Sequence, residues 1–242
     1  MNLMRIKFIL GNIILFSCLV PFSAKSQAPD MTIFQSNMRS KAANRFYEEE
    51  FQRIGAYKVK GNSYLLKGKN VVDLYTTLGY GTNMPLVFDT YTQQASILLE
   101  NQKDMVSLSH EELDSFIIKV DNDGKFTEPA FFINAGKIDA SKKLYLQRLT
   151  NGSKYNLYKS FIAEMRPAAM DIAQTNVKEF EIVSEYYYLD MTSKESFIKI
   201  KPNTKNLKEF FKDQKAALDI LNAKTSDKLE LKLVAFFNKI NS

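Results

Sequence analysis

Between Tyr57 and Lys201 the chain is a succession of short apolar runs broken by polar turns. The densest stretch lies between Val71 and Val120 and reads as five strands: Val71–Thr77, Pro85–Tyr91, Ala95–Glu100, Met105–Leu108 and Asp114–Val120. In the last of these, Phe116, Ile118 and Val120 fall on one side, and Ser115, Ile117 and Lys119 on the other. Side chains alternate across a strand, so such a run packs one face on a core. Gly79-Tyr80-Gly81-Thr82-Asn83, Asn101-Gln102-Lys103-Asp104 and Asp121-Asn122-Asp123-Gly124 read as the turns between runs, because these residues accept turn conformations that β-branched residues resist. Runs so closely spaced leave no room for crossover helices, which predicts an antiparallel meander.

The pattern extends in both directions. Gly61-Asn62 predicts a tight hairpin joining Tyr57–Lys60 to Ser63–Lys67. After the central block, Phe126–Asn134, Leu144–Leu149, Lys154–Phe161, Lys178–Leu189 and Ser196–Lys201 read as strands. Asn151-Gly152 predicts a hairpin turn, since both residues accept positive φ. Arg166–Thr175 fits either a loop or a helical turn. Upstream, Ala42, Ala43, Phe46, Tyr47 and Phe51 recur at helical spacing and predict a helix over Ser40–Arg53. Its Glu48-Glu49-Glu50 cannot converge on one cation, because consecutive helical residues point apart.

The tail changes character. Asn206-Leu207-Lys208-Glu209 has the spacing of a helix start. From a second start at Asp227, Leu229, Leu233, Phe236, Phe237 and Ile240 form one stripe with lysines opposite. Docking of that stripe on its own domain is preferred over contact with an anionic membrane.

The first residues stand outside this pattern. Arg5 and Lys7 precede an apolar run from Phe8 to Phe22, followed by the small residues of Ser23–Ala28. That layout is a secretory signal peptide, with cleavage expected after Ser26. The run contains Asn12 and Pro21 and is shorter than the roughly 20 apolar residues of a membrane-spanning helix. Cys18, the only cysteine, lies inside the run, and the apolar residues continue past it; a lipid anchor there is therefore disfavoured. These features divide the chain into a signal peptide (1–26), a leader with a short helix (27–55), an antiparallel β domain (56–202) and a C-terminal helical segment (203–242). The fold expectation is α+β: an antiparallel β-sheet meander with C-terminal amphipathic helices.

Charge and chemistry narrow the function classes. The formal charge is +6, of which Arg5, Lys7 and Lys25 belong to the signal. The stretch from Lys199 onward holds ten lysines against five acidic residues, yet no basic block is interleaved with aromatics, which argues against nucleic acid. His110 is the only imidazole, and Ser109-His110-Glu111-Glu112 is too compact for a catalytic triad, whose members meet from separate segments. One histidine with no mature cysteine excludes the common zinc sets. Asp121-Asn122-Asp123-Gly124 resembles part of a calcium loop, but Lys119 and Ala130 stand where the pattern wants ligands. No catalytic, cofactor or metal residue is therefore assigned. Glu164, Glu179, Glu181, Glu185 and Asp190 leave a carboxylate hydrolase open, because that chemistry needs no local motif.

The one stretch with a binding character is Tyr186-Tyr187-Tyr188. Alternation places Tyr187 opposite its neighbours, so at least one ring is expected on the wet face, where it can stack on a sugar or peptide. Ordinary cross-strand packing is the competing reading.

Taken with the signal and tail, Gly61-Asn62-Ser63-Tyr64-Leu65, Pro85–Tyr91, Leu113-Asp114-Ser115-Phe116, Leu157-Tyr158-Lys159 and Leu207–Asn238 resemble a loose group of uncharacterised exported proteins of Gram-negative bacteria. The resemblance implies export and a shared fold, with no catalytic residues to carry over. Phe88-Asp89 departs from that group, whose matching segment is more basic. The expectation is an exported, non-catalytic protein of the cell envelope, periplasmic or extracellular, acting through an interaction surface. Its partner would be an envelope protein, a glycan or an apolar ligand. The alternatives are a module binding a small or apolar ligand between sheet and helices, and a carboxylate-based hydrolase.

Overall fold

A computed structural model describes residues 52–65, 70–99, 105–120, 125–168, 176–193, 196–201, 203–223 and 228–242. The segment expected to be a signal peptide, with Cys18, the glutamates at 48–50 and the expected turns at 101–104 and 121–124 lie outside the described residues.

Among the described residues, twelve strands form one sheet. They are β1 (Gln52–Ile54), β2 (Tyr57–Lys60), β3 (Asn70–Thr76), β4 (Gly79–Asp89), β5 (Gln94–Leu98), β6 (Met105–Leu108), β7 (Leu113–Val120), β8 (Ala130–Asn134), β9 (Tyr145–Arg148), β10 (Tyr155–Pro167), β11 (Val177–Asp190) and β12 (Ile198–Lys199). Three helices follow: α1 (Lys205–Phe210), α2 (Lys215–Asn222) and α3 (Leu229–Asn241). The α+β class holds, but the sheet is mixed and is not a single antiparallel meander. Its order is β1-β2-β11-β10-β9-β8-β7-β3-β4-β5-β6, with β12 also on β11. Two antiparallel meanders, β3–β6 and β7–β12, are joined where β7 pairs with the outer edge of β3. β2, which forms a hairpin with β1, runs parallel to β11, with Lys178 opposite Val59. Alternation reports which way a side chain points and nothing about which strand lies alongside, so this pairing was outside its reach.

Several local expectations change for physical reasons. Gly79–Asn83 is strand, not turn: Gly81 pairs with Leu74 and Tyr80 with Tyr75. A Cβ on Gly81 would lie 3.2 Å from the Leu74 and Met84 side chains, so the glycine permits close packing there. The chain reverses one step earlier, at Thr77-Leu78, with Gly79 at φ +143°. Gly61-Asn62 makes no hairpin; Ser63–Leu65 instead runs against the end of β4 through Leu65 N to Phe88 O and Thr90 N to Ser63 O. Gln52 and Arg53, the end of the expected helix, pair as strand with Val59 and Lys58. Arg166 and Pro167 extend β10. The expected first tail helix breaks at Phe211, which turns its ring into the core between α1 and α2.

The sheet is strongly curved. Five pairing steps separate β10 from β4 along the ladder, yet Ala163 N reaches Thr90 O at 3.2 Å. The inside of this curve is an aromatic core of Phe88, Phe116, Phe132, Tyr145 and Phe161, with Phe116 stacked on Phe132 at 4.8 Å. Gln93 fastens the closure: Nε2 donates to Thr90 O and Phe161 O, both at 2.8 Å, and Oε1 accepts from Tyr145 N at 3.2 Å. A second core lies between the sheet and the helices, where Leu157 and Tyr188 meet Leu207, Phe211, Leu233, Phe236 and Phe237. A third covers the reverse side of β10–β11, with Tyr158, Tyr187 and Leu189 under Phe197.

Candidate interaction surface

Tyr186, Tyr187 and Tyr188 take the alternating directions expected of them, but both faces are covered. Tyr188 (2 % exposed) lies under the helices against Phe211 and Phe237, and Tyr187 (4 %) is in the reverse core. Tyr186 is half-buried; its hydroxyl donates to Glu230 Oε2 at 2.8 Å, beside a Lys159–Glu230 ion pair of 2.6 Å that ties α3 to β10. Burial, followed by the Tyr155 and Asp190 charges, pushes the Tyr188 phenol up to about 12. Burial also raises Tyr186 and Tyr187, reinforced by their hydrogen bonds to Glu230 and Glu185. These rings stay neutral and serve packing.

The carboxylates of the later strands meet on cations and not on one another. Glu164 and Glu181 face each other across β10 and β11. Arg166 bridges them, at 3.0 Å to Glu164 and 2.6 Å to Glu181, and all three side chains are about half exposed. Glu185 pairs with Lys199 and accepts from the Tyr187 hydroxyl at 2.7 Å. Burial opposes its charge, but hydrogen bonds from Lys199 and Tyr187 outweigh burial and hold its pKa below the usual glutamate value. Asp190 caps its own turn through Thr192. Arg166 thus stands between Glu164 and Glu181, and Lys199 stands on Glu185. Among the described residues, no group of three or more His, Cys, Asp or Glu side chains is placed to hold a metal ion. His110 stacks on Tyr145 at 4.8 Å, and among the described residues its buried Nδ1 has no hydrogen-bond partner. Its backbone carbonyl accepts from Asn134 Nδ2 at 2.6 Å.

The surface feature that pattern reading missed is the β3–β4 tip. Leu78 is 90 % exposed at its apex, flanked by Tyr80 (64 %) and Tyr75 (39 %). The two rings pack on each other at 5.4 Å with a 31° tilt. From Tyr75 to Asn83 the tip carries no charge. Its backbone is tied internally: Thr76 Oγ1 donates to Gly79 O at 2.9 Å and accepts from Leu78 N at 3.3 Å, and Thr77 N donates to Glu112 O at 2.9 Å. Its base is fastened by Asp73, whose Oδ1 accepts from Asn83 N at 3.1 Å and from Lys119 Nζ at 3.2 Å. The tip is thus a braced protrusion with apolar side chains in water. Scattered exposed apolar residues are ordinary, but three large ones within six positions at one turn make a patch. A leucine at the predicted turn, beside a tyrosine held between two glycines, was the available signal.

Among the described residues, no helix is long and apolar enough to cross a membrane. Comparison with family models, with curated proteins and with solved structures finds no match for this chain.

Proposed function

We propose that this protein works by contact and not by turnover, as an exported component of the cell envelope whose binding element is the β3–β4 tip. The exposure of Leu78 between two tyrosines carries this reading. Covering a leucine of this kind is worth about 1.5–3 kcal/mol, which a partner gains and the isolated chain forgoes. Two other observations support it. The acidic side chains of β10 and β11 are tied to arginine and lysine at the surface, which weighs against a carboxylate hydrolase. The seam between sheet and helices is filled by Leu157, Tyr188, Phe211, Phe236 and Phe237, which weighs against an apolar ligand held there.

The test places a photo-crosslinking amino acid at position 78 and, as a control, at exposed Lys208 on α1. Cells exporting each version are irradiated. The expected result is a discrete adduct from position 78 that is absent from position 208 and lost in a Tyr75→Ser/Tyr80→Ser background. No adduct from position 78, together with turnover of a glycan or peptide by the purified protein, would overturn the reading.

A further inference from the structure

Away from the tip, the connection from β9 to β10 carries Asn151-Gly152, the only Asn-Gly step in the chain. This dipeptide is chemically labile. The Gly152 nitrogen can attack Asn151 Cγ; the Cγ–Nδ2 bond breaks, ammonia leaves with the proton that Gly152 gave up, and a cyclic imide remains. Water then opens the ring at one carbonyl to give aspartate, or at the other to give isoaspartate. Asparagine is among the thermolabile residues for this kind of reason, and glycine removes the side chain that would shield the nitrogen.

The fold restrains the attacking atom. Gly152 N donates to Asn156 Oδ1 at 2.6 Å. Asn156 is itself 2 % exposed, and its Nδ2 donates to Met191 Sδ at 3.0 Å, so the acceptor is fixed from inside the protein. On its other side Gly152 is pressed against α3: a Cβ there would lie 2.0 Å from Asn241 Nδ2. Asn151 itself is exposed to the water that the second step consumes. We infer that Asn151 is a site of spontaneous deamidation that Asn156 suppresses as long as the β9–β10 connection stays folded against the end of β11. The reaction is then a chemical record of local opening of this connection. An isoaspartyl link inserts an extra main-chain carbon beside Gly152, where Asn241 leaves no slack, so a modified chain redocks α3 less well.

Peptide mapping of isoaspartate at position 151, after incubation at mildly alkaline pH, tests this. Folded wild type is expected to react several-fold more slowly than the same chain in urea. Asn156→Ala is expected to react about two- to tenfold faster than wild type while still folded, the factor that one net hydrogen bond commands. Asn156→Asp, which keeps an oxygen acceptor for Gly152 N–H, should stay near wild type. A folded wild type that reacts as fast as the unfolded chain overturns the inference. So does equal speed in wild type and Asn156→Ala. Should Asn156→Ala fail to fold, amide exchange in the wild type decides: a protected Gly152 N–H supports the inference, and exchange at the unprotected rate overturns it.

Discussion

Asn241 grips Tyr155 from both directions. Its Oδ1 accepts from Tyr155 N at 2.9 Å while its Nδ2 donates to Tyr155 O at 2.8 Å. The same amide also accepts from Lys154 N at 3.1 Å and donates to Phe237 O at 2.7 Å. One side chain at the end of α3 thus supplies the first strand residue of β10 with a partner of the kind a neighbouring strand would offer. The register between helix and sheet is fixed there.

Two substitutions at this contact should be coupled. Asn241→Ala leaves several backbone groups without partners and is expected to cost about 1–3 kcal/mol. Gly152→Ala drives a methyl group into Asn241 and should cost a similar amount through overpacking, about 1–3 kcal/mol. In the double variant the methyl has room, so the two costs should sum to less than their separate total. Urea denaturation of all four proteins measures this; strict additivity would show that Gly152 and Asn241 do not share the contact.

Gln93 offers a second test, at the closure of the curved sheet. Its side chain serves Thr90 O, Phe161 O and Tyr145 N, all in the buried interior. Gln93→Ala is expected to destabilise by about 1–3 kcal/mol, the penalty for buried polar groups left unpaired. Gln93→Glu should be at least as costly, because a carboxylate cannot donate to the two carbonyls. A melting temperature unchanged in Gln93→Ala would mean that the curvature is held by the aromatic core alone.

Much of the fold was legible because alternation is a local property. Met105–Leu108 matches its strand at both ends, and Tyr187 does face away from Tyr186 and Tyr188. What covers each face is not local. At least one of the three rings was expected on the wet face, but the helices lie over Tyr188; Phe197, brought back from beyond the β11 turn, lies over Tyr187; and Tyr186 is half-buried. Asn151-Gly152 announces a tight turn with positive φ, yet neither residue is left-handed. The glycine is required instead by Asn241, 89 positions downstream, and no window of sequence displays that contact. The candidate site was missed for a related reason: glycines at 79 and 81 signal a turn, but here they sit within the strand that holds Leu78 and Tyr80 out into solvent.

The Glu185 contact predicts an acid-sensitive contribution. Lys199 and Tyr187 hold its pKa below the ordinary glutamate value of 4.5. A carboxyl with a lowered folded pKa contributes stability above its unfolded value and loses it as pH falls through the folded value. The stability difference between wild type and Glu185→Gln should therefore be present near pH 7 and shrink below about pH 4.5. Urea midpoints of both proteins across that range report it. A difference that holds constant through the acid limb would show that the Glu185 charge contributes nothing.

The buried phenols set the alkaline limit. Tyr188 rises from 10.0 to about 12, and Tyr186 and Tyr187 are raised as well, burial being the first cause in each. The unfolded chain releases these protons first, so their contribution is complete below about pH 10 and is lost as pH climbs toward the folded values. Phenolate absorbance should therefore show a cooperative step above about pH 10 that coincides with loss of the near-ultraviolet circular dichroism of the packed core. Tyr188→Phe removes one proton from that step and should move it to higher pH, provided the variant keeps its melting temperature. A smooth titration of all tyrosines with the core signal intact would mean that water reaches Tyr188, and that α1 and α3 do not cover it as described.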